Sequence, residues 1–132
     1  MAELNLVLVT PEKTLFDRPV ASVQLPLFDG SAGFYPGRAP LVGRLGVGEL
    51  KLTGTDGATE SYFIDGGFVQ VKGTKLSVLT SAAQPVGDID RSEAEVELDA
   101  AKAESAIGDE AQAALAHRQE RARKLVSLAS AR

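Results

Sequence analysis

Few residues in this chain could act on a covalent bond. There is one histidine, His117, and no cysteine, which excludes paired-histidine metal sites, thiolate sites and a cysteine nucleophile. No serine stands in a G-x-S-x-G turn, and no G-x-x-x-x-G-K-[ST] is present to cradle a phosphate. Gly66-Gly67 followed by Phe68 lacks the strand–helix context of a dinucleotide fold. The three residues read as a structural turn, a bend where neighbouring backbone comes close. His117 lies among residues of helical period, where a solvated or interhelical ring is expected, since acid–base work needs convergent partners. The expectation is a chain with no catalytic residue, no metal site and no cofactor, not an enzyme by itself.

What remains is the chemistry of binding, and charge is its clearest carrier. Residues 88–110 hold nine Asp or Glu against two Lys or Arg, whereas residues 111–132 hold Glu120 against Arg118, Arg121, Arg123, Lys124 and Arg132. One account is internal: acids near helix starts, bases near helix ends, and attraction between an acidic and a basic helix. The other is that the basic cluster Arg118, Arg121, Arg123 and Lys124 meets an acidic partner elsewhere. Salt dependence of binding separates them. The whole chain has a formal charge of −4, which argues against nucleic acid as a partner, because that affinity rests on clustered cations neutralising phosphates.

The elements that must position these groups fall into two sets. At 132 residues the chain is long enough for one substantial core with an attachment. Up to Gly87 it is rich in Gly, Pro, Val and Leu; beyond it Gly appears only at Gly108 and Pro not at all. The break near QPVGD predicts a β domain over 1–87 and a two-helix domain over 88–132. In the first part Leu4, Leu6 and Leu8, then Val23, Leu25 and Leu27, then Tyr62 and Ile64 recur at the strand period. Turns are marked at Asp29-Gly30, at Gly54-Thr55-Asp56-Gly57 and at Lys72-Gly73-Thr74-Lys75. The segments 47–53, 59–65, 67–72 and 75–81 should form a meander, and two packed sheets or a flattened barrel is the economical architecture. Pro19 and Pro26 must lie at edges, bulges or strand starts.

In the second part, Ile89, Val96, Ala100, Ala103 and Ile107 share one helical face, and Ala111, Ala114, Leu115, Ala122, Leu125, Val126 and Ala129 share another, with Asp109 as the expected N-cap. The result is an antiparallel helical hairpin with an alanine seam, helical by propensity but weakly held, since alanine buries little apolar area. The N-terminus carries Glu3 and no basic run before its short apolar segment, and no apolar run reaches the roughly 20 residues that span a bilayer. A soluble protein, not secreted by this route, is expected.

Residues 33–50, GFYPGRAPLVGRLGVGEL, put five glycines and two prolines among side chains that call for burial, with Arg38 in their midst. Gly33 to Val42 is similar to the G-I-L-P-G-H-A-P-L-L signature of the epsilon subunit of bacterial F-type ATP synthases, whose mitochondrial counterpart is called delta. Three further segments resemble that family in the same order: Thr10-Pro11-Glu12-Lys13-Thr14-Leu15-Phe16 its S-P-E-K-x-L-F, Gly46-Val47-Gly48-Glu49-Leu50 its P-G-x-[VL], and Ile64-Asp65-Gly66-Gly67-Phe68-Val69-Gln70-Val71 its V-x-G-G-F-x-E-V. The β part followed by an Ala-rich helical pair extends the resemblance over the whole chain.

The resemblance implies a non-catalytic rotor subunit of the central stalk in proton-driven ATP synthesis. Its fold would be a β-sandwich of about ten short strands, many for so few residues, followed by the helical hairpin. Its partners would be the gamma subunit and the ring of membrane c subunits, and its location the cytoplasmic face of the bacterial plasma (inner) membrane, peripheral and held there through the complex. The loop Phe34, Tyr35, Pro36, Gly37, Arg38, Ala39 and Pro40 would be a rigid turn facing the c ring or gamma, with Pro fixing φ and Gly allowing what other residues cannot. In the family the hairpin can extend along the shaft and block ATP hydrolysis, which would bring Arg118, Arg121, Arg123 and Lys124 to acidic segments of the catalytic beta subunits.

Two departures matter. Arg38 replaces the family's histidine, a forked permanent cation for a titratable ring, suited to a carboxylate or a phospholipid. In the family's ATP motif, I/L-D-x-x-R-A, this chain has Ile89-Asp90-Arg91-Ser92-Glu93-Ala94. Glu93 stands in place of the arginine and repels phosphate, so ATP binding is not expected. The competing expectation is a free-standing β-sandwich interaction module with a helical oligomerisation tail.

Overall fold

A computed structural model describes residues 4–37 and 39–130; Met1–Glu3, Arg38, Ala131 and Arg132 lie outside the described residues. The chain divides after Pro85 into two compact units.

The first unit holds strands β1 (Leu4–Val9), β2 (Thr14–Leu27), β3 (Gly30–Phe34), β4 (Leu41–Gly54), β5 (Thr59–Lys72), β6 (Lys75–Leu79) and β7 (Ala83–Pro85). β1 lies parallel to β6 and antiparallel to β2, so the order β1, β6, β5, β4, β2 returns to β1 and closes a flattened barrel. β4, β5 and β6 form the expected meander.

The resemblance implies about ten short strands, and the structure has seven among the described residues. The difference is continuity. β2, β4 and β5 are fourteen residues each and serve both layers of the sandwich. The first half of β2 pairs with β1 and its second half with β4 and β3. β5 pairs with β7 through Tyr62–Ile64 and with β6 through Phe68–Lys72. Counting each half separately gives ten segments, five in each layer. Period-2 patterns mark where a strand changes layer as a break, because the inward face changes there.

Between the layers lies one core. Leu4, Leu6, Leu8, Val69, Val71, Leu76 and Val78 reach it from one side and Val23, Leu25, Leu50, Leu52 and Ile64 from the other, all at most 2% exposed. At the corner of β5, Gly66 and Gly67 adopt φ of +69° and +112°. A Cβ on Gly67 would stand 1.9 Å from the Leu79 carbonyl oxygen and 2.8 Å from Thr80 Cα. Polar groups stitch this corner: the Asp65 amide donates to Thr80 Oγ1 at 3.2 Å and to the Ala82 carbonyl at 3.1 Å, and Ser81 Oγ donates to the Asp65 carbonyl at 2.5 Å. The corner between β2 and β4 is built differently. Register slips between Gln24 and Leu27, where Pro26 cannot donate a ladder bond, and a Cβ on Gly48 would meet the Pro26 ring at 2.7 Å.

The second unit begins with a 3-10 turn (Val86–Asp88) and continues as α1 (Arg91–Ala103) and α2 (Asp109–Ser130). Glu97 meets Arg121 and Glu104 meets Arg118, so later residues of α1 face earlier residues of α2 and the pair is antiparallel. α1 differs from expectation in its seam. Ala94 and Ala101 are buried with Leu98 half-buried, whereas Val96 is 70% exposed, Ala100 and Ala103 are exposed, and Ile107 lies beyond the helix end. The observed face holds Glu97 between its apolar residues and so brings it to Arg121. α2 uses Leu115, Ala122, Leu125 and Ala129 as expected, but Ala111 and Ala114 are exposed. Asp109 is the first helical residue rather than the cap; Gly108, at φ +96°, precedes it and its carbonyl accepts from the Gln112 amide.

Replacing Gly67 with Ala forces backbone of β5 away from β6 and should cost more than about 3 kcal/mol. Gly57→Ala, at φ +87° with no atom within 4 Å of the new Cβ, should cost only about 1 kcal/mol. Urea unfolding of the two variants checks the contrast; equal losses would show that the corner tolerates displacement.

Candidate functional site

The loop between β3 and β4 leaves the core at Phe34. That side chain, counted from sequence among the partner-facing residues, is 1% exposed and anchors the loop instead. Tyr35 is 64% exposed and its ring lies back over Gly33, 3.3 Å from where a Cβ there would be. It walls a polar groove of about 480 Å³ whose sides include Gln24, Lys51 and Thr53. Pro36 is half-buried, Gly37 turns the chain at φ +88°, and Ala39 and Pro40 are exposed. Arg38 lies outside the described residues.

Beyond the loop, strand register assembles a surface that sequence patterning did not identify. Residues directly opposite in adjacent strands share a face. Arg44 is opposite Phe68, Phe68 opposite Leu79, and Leu79 opposite Val9. The next row runs Val42, Gln70, Ser77, Val7. These rows lie on the outer side of β4, β5, β6 and β1, and Val42, Phe68 and Leu79 are 69%, 55% and 55% exposed. Phe68, expected only as part of a turn, therefore stands in the middle of an exposed apolar row. An apolar cleft of about 270 Å³ opens beside it, lined by Pro11, Gly67, Phe68 and Leu79. The alternation Phe68-Val69-Gln70-Val71 shows which residues point outward, but only the pairing of four strands shows that they meet.

On α2 the basic cluster is partly engaged within the hairpin. Arg118 pairs with Glu104 at 2.5 Å and Arg121 with Glu97 at 3.2 Å, while Gln119 donates to the Ala101 carbonyl at 3.0 Å. Both ion pairs are partly solvated, so each contributes on the order of 0.2–1 kcal/mol. Arg123 is exposed and Lys124 half-buried. His117 is exposed on the same helix.

The sequence of residues 3–86 matches the family described as ATP synthase, Delta/Epsilon chain, beta-sandwich domain. The chain is 50% identical over 91 residues to the ATP synthase epsilon chain of Rhodopirellula baltica, an alignment covering 69% of this chain and 70% of that one. It is 36% identical over 109 residues to the ATP synthase epsilon chain of Granulibacter bethesdensis, covering 83% and 81%. The chain belongs to the ATP synthase delta/epsilon family. Among solved structures it resembles a chain of the Euglena gracilis mitochondrial ATP synthase (OSCP/F1/c-ring, rotational state 1), with TM-score 0.81 and 26% identity over 99% of this chain and 81% of that one. As a delta/epsilon chain it is a non-catalytic subunit of the ATP synthase.

The positions matching the delta/epsilon family's ATP motif begin α1. Ile89 and Ala94 are buried at 4% each. Asp90 is the N-cap, its Oδ1 accepting from the Glu93 amide at 3.1 Å, and Glu93 is exposed. Asp90 is thus accounted for as a helix N-cap without a nucleotide, and the exposed Glu93 carboxylate adds a negative charge beside it. At about a thousandfold excess over a micromolar dissociation constant, ATP would stabilise the protein by about 4 kcal/mol. Millimolar ATP is expected to leave the thermal midpoint unchanged; a rise of several degrees would show that the motif still binds nucleotide.

Proposed function

We propose that the chain is the rotor link between the gamma subunit and the ring of c subunits. The β domain, residues 1–87, makes the rotor contacts, and the hairpin, residues 88–132, tunes ATP hydrolysis. The observation that carries this reading is the outer face of β4, β5, β6 and β1. Three large apolar side chains, Val42, Phe68 and Leu79, are more than half exposed on it, beside an apolar cleft. Contiguous exposed apolar residues rimmed by polar ones mark an interaction surface. Gamma is the partner assigned to this face. The loop Tyr35–Pro40, with Arg38 at its centre, is assigned to the c ring, where a guanidinium suits a carboxylate or a lipid phosphate. The similar Euglena chain belongs to an assembly with F1 and c-ring, which supports partners of these kinds for the chain as a whole.

The complex containing it lies at the cytoplasmic face of the bacterial inner membrane, and the chain reaches the membrane through its partners. No helix among the described residues is long and apolar enough to cross a bilayer. Hydrolysis is restrained when the hairpin opens and the cluster Arg118, Arg121, Arg123 and Lys124 engages acidic segments of the catalytic beta subunits. The hairpin's contacts support this: alanines supply half of its seam and its Glu97–Arg121 and Glu104–Arg118 pairs are partly solvated, so the closed state is more easily exchanged for another than a fully leucine-packed one.

In a pull-down with purified gamma at low and moderate salt, the full chain and the truncated chain 1–87 should both retain gamma stoichiometrically. Retention by neither at any salt would favour the free-standing interaction module. In the reconstituted enzyme, deletion of residues 88–132 should leave assembly intact and raise ATP hydrolysis; unchanged hydrolysis removes the inhibitory role and leaves the rotor role standing.

A further inference from the structure

The docking face carries a charge distribution opposite to that of the chain as a whole. In a protein of formal charge −4, the outward positions of β4, β5 and β6 include Arg44, Lys72 and Lys75, and no acid among the described residues lies beside them on those three strands. Asp17, on β2 opposite Val7, is the acid at the far margin, and Asn5 Nδ2 donates to its Oδ1 at 2.6 Å.

Arg44 has the most defined setting of the three cations. Its guanidinium carbon lies 4.8 Å from the centroid of the Phe28 ring, and the Phe28 amide donates to the Arg44 carbonyl at 2.9 Å. The ring, 70% exposed at the tip of the β2–β3 hairpin, thus holds the side chain while the strand pairing sets Phe68 directly opposite. No acidic side chain among the described residues pairs with Arg44. A guanidinium stacked on one aromatic ring keeps its edge donors available, and their fork matches the two oxygens of a carboxylate. Two strand spacings away, about 10 Å, the apolar cleft between Phe68, Leu79 and Pro11 is open to a side chain.

We infer that Arg44 is a carboxylate receptor, and that this face takes a protein segment presenting an Asp or Glu about 10 Å from an apolar side chain that fills the Phe68–Leu79 cleft. The inference rests on the reading of this face as the gamma-docking surface and adds its chemistry. The carboxylate pairs with Arg44, the apolar residue supplies desolvated area, and Lys72 and Lys75 attract acidic surface during approach. Phe28 acts as a positioning residue, limiting the rotamers that Arg44 would otherwise lose on binding.

The test measures the affinity of the full-length chain for purified gamma as a function of salt. Arg44→Gln should weaken binding at least about tenfold at low salt and flatten the salt dependence. Arg44→Lys should recover part of the affinity and all of the salt slope. Leu79→Ser and Phe68→Ala should weaken binding at every salt concentration, and thermal unfolding should show all four variants folded, because the side chains are exposed. If the two apolar variants bind weakly while Arg44→Gln binds like the parent, the carboxylate receptor is overturned and the docking face stands. If all four bind like the parent, the face is not the gamma surface and both readings fail. Vesicles containing phosphatidylglycerol form the last arm: no Arg44-dependent co-sedimentation is expected, and its appearance with unchanged gamma affinity would overturn the inference in favour of a lipid headgroup.

Discussion

The backbone of β5 passes so close to the Leu79 carbonyl that no side chain fits at Gly67, and the architecture of the β unit depends on this approach. A strand of fourteen residues can serve two layers only if it changes direction without losing its pairing. β5 does so by placing two glycines at positive φ while the meander register with β4 continues on both sides, from Leu45 opposite Gly67 to Val47 opposite Asp65. The amide and carbonyl that such a bend would strand are taken up by Thr80, Ser81 and Ala82. Two of those partners are hydroxyls, which can reach a backbone group that no longer faces a neighbouring strand.

Because the corner is rigid, the residue after it is aimed. Phe68 follows Gly67 directly and faces outward between Arg44 and Leu79. The same approach that closes the barrel therefore displays an aromatic ring on its surface. A flexible bend would spend binding energy on ordering that ring; a corner set by backbone contact does not. Gly66-Gly67-Phe68 thus joins two requirements in consecutive residues, one belonging to the core and one to the exterior.

Much of the fold is legible in the sequence because its signals are local. Turn residues at Asp56-Gly57 and Gly73, alternating leucines in β1, and the loss of Gly and Pro beyond Gly87 each report on a few neighbours. The rest depends on pairing across the chain. Whether the residues around Gly66-Gly67 are one strand or two, and whether Val42, Phe68 and Leu79 form one surface, follows from register, which no short window contains. The seam of α1 is not legible for a related reason. Apolar and small residues lie on two faces of that helix, Val96, Ala100 and Ala103 on one and Ala94, Leu98 and Ala101 on the other, and hydropathy alone does not rank them. The second face carries Glu97 to Arg121. The burial of Phe34 is hidden in the sequence because membership in a loop says nothing about whether a side chain turns inward.

The hairpin shows how the two accounts of its charge can both operate. Its internal pairs, Glu97 with Arg121 and Glu104 with Arg118, are half-exposed and so are weak individually. The seam they accompany sets Ala94, Ala101, Ala122 and Ala129 among Leu98, Leu115, Leu125 and Leu128. Burying a methyl side chain contributes far less than burying an isobutyl one. A hairpin closed by small areas and solvated ion pairs has a stability that another acidic surface could match with similar contacts. Interhelix attraction then does not exclude an external acidic partner: it sets the threshold that partner must exceed. Glu97 and Glu104 occupy the arginines that the partner would need, so the acidic helix acts as the competitor for the basic one. The charge asymmetry between the two helices, which internal pairing alone would explain, is also an arrangement in which an external acidic surface would compete with Glu97 and Glu104 for the same arginines.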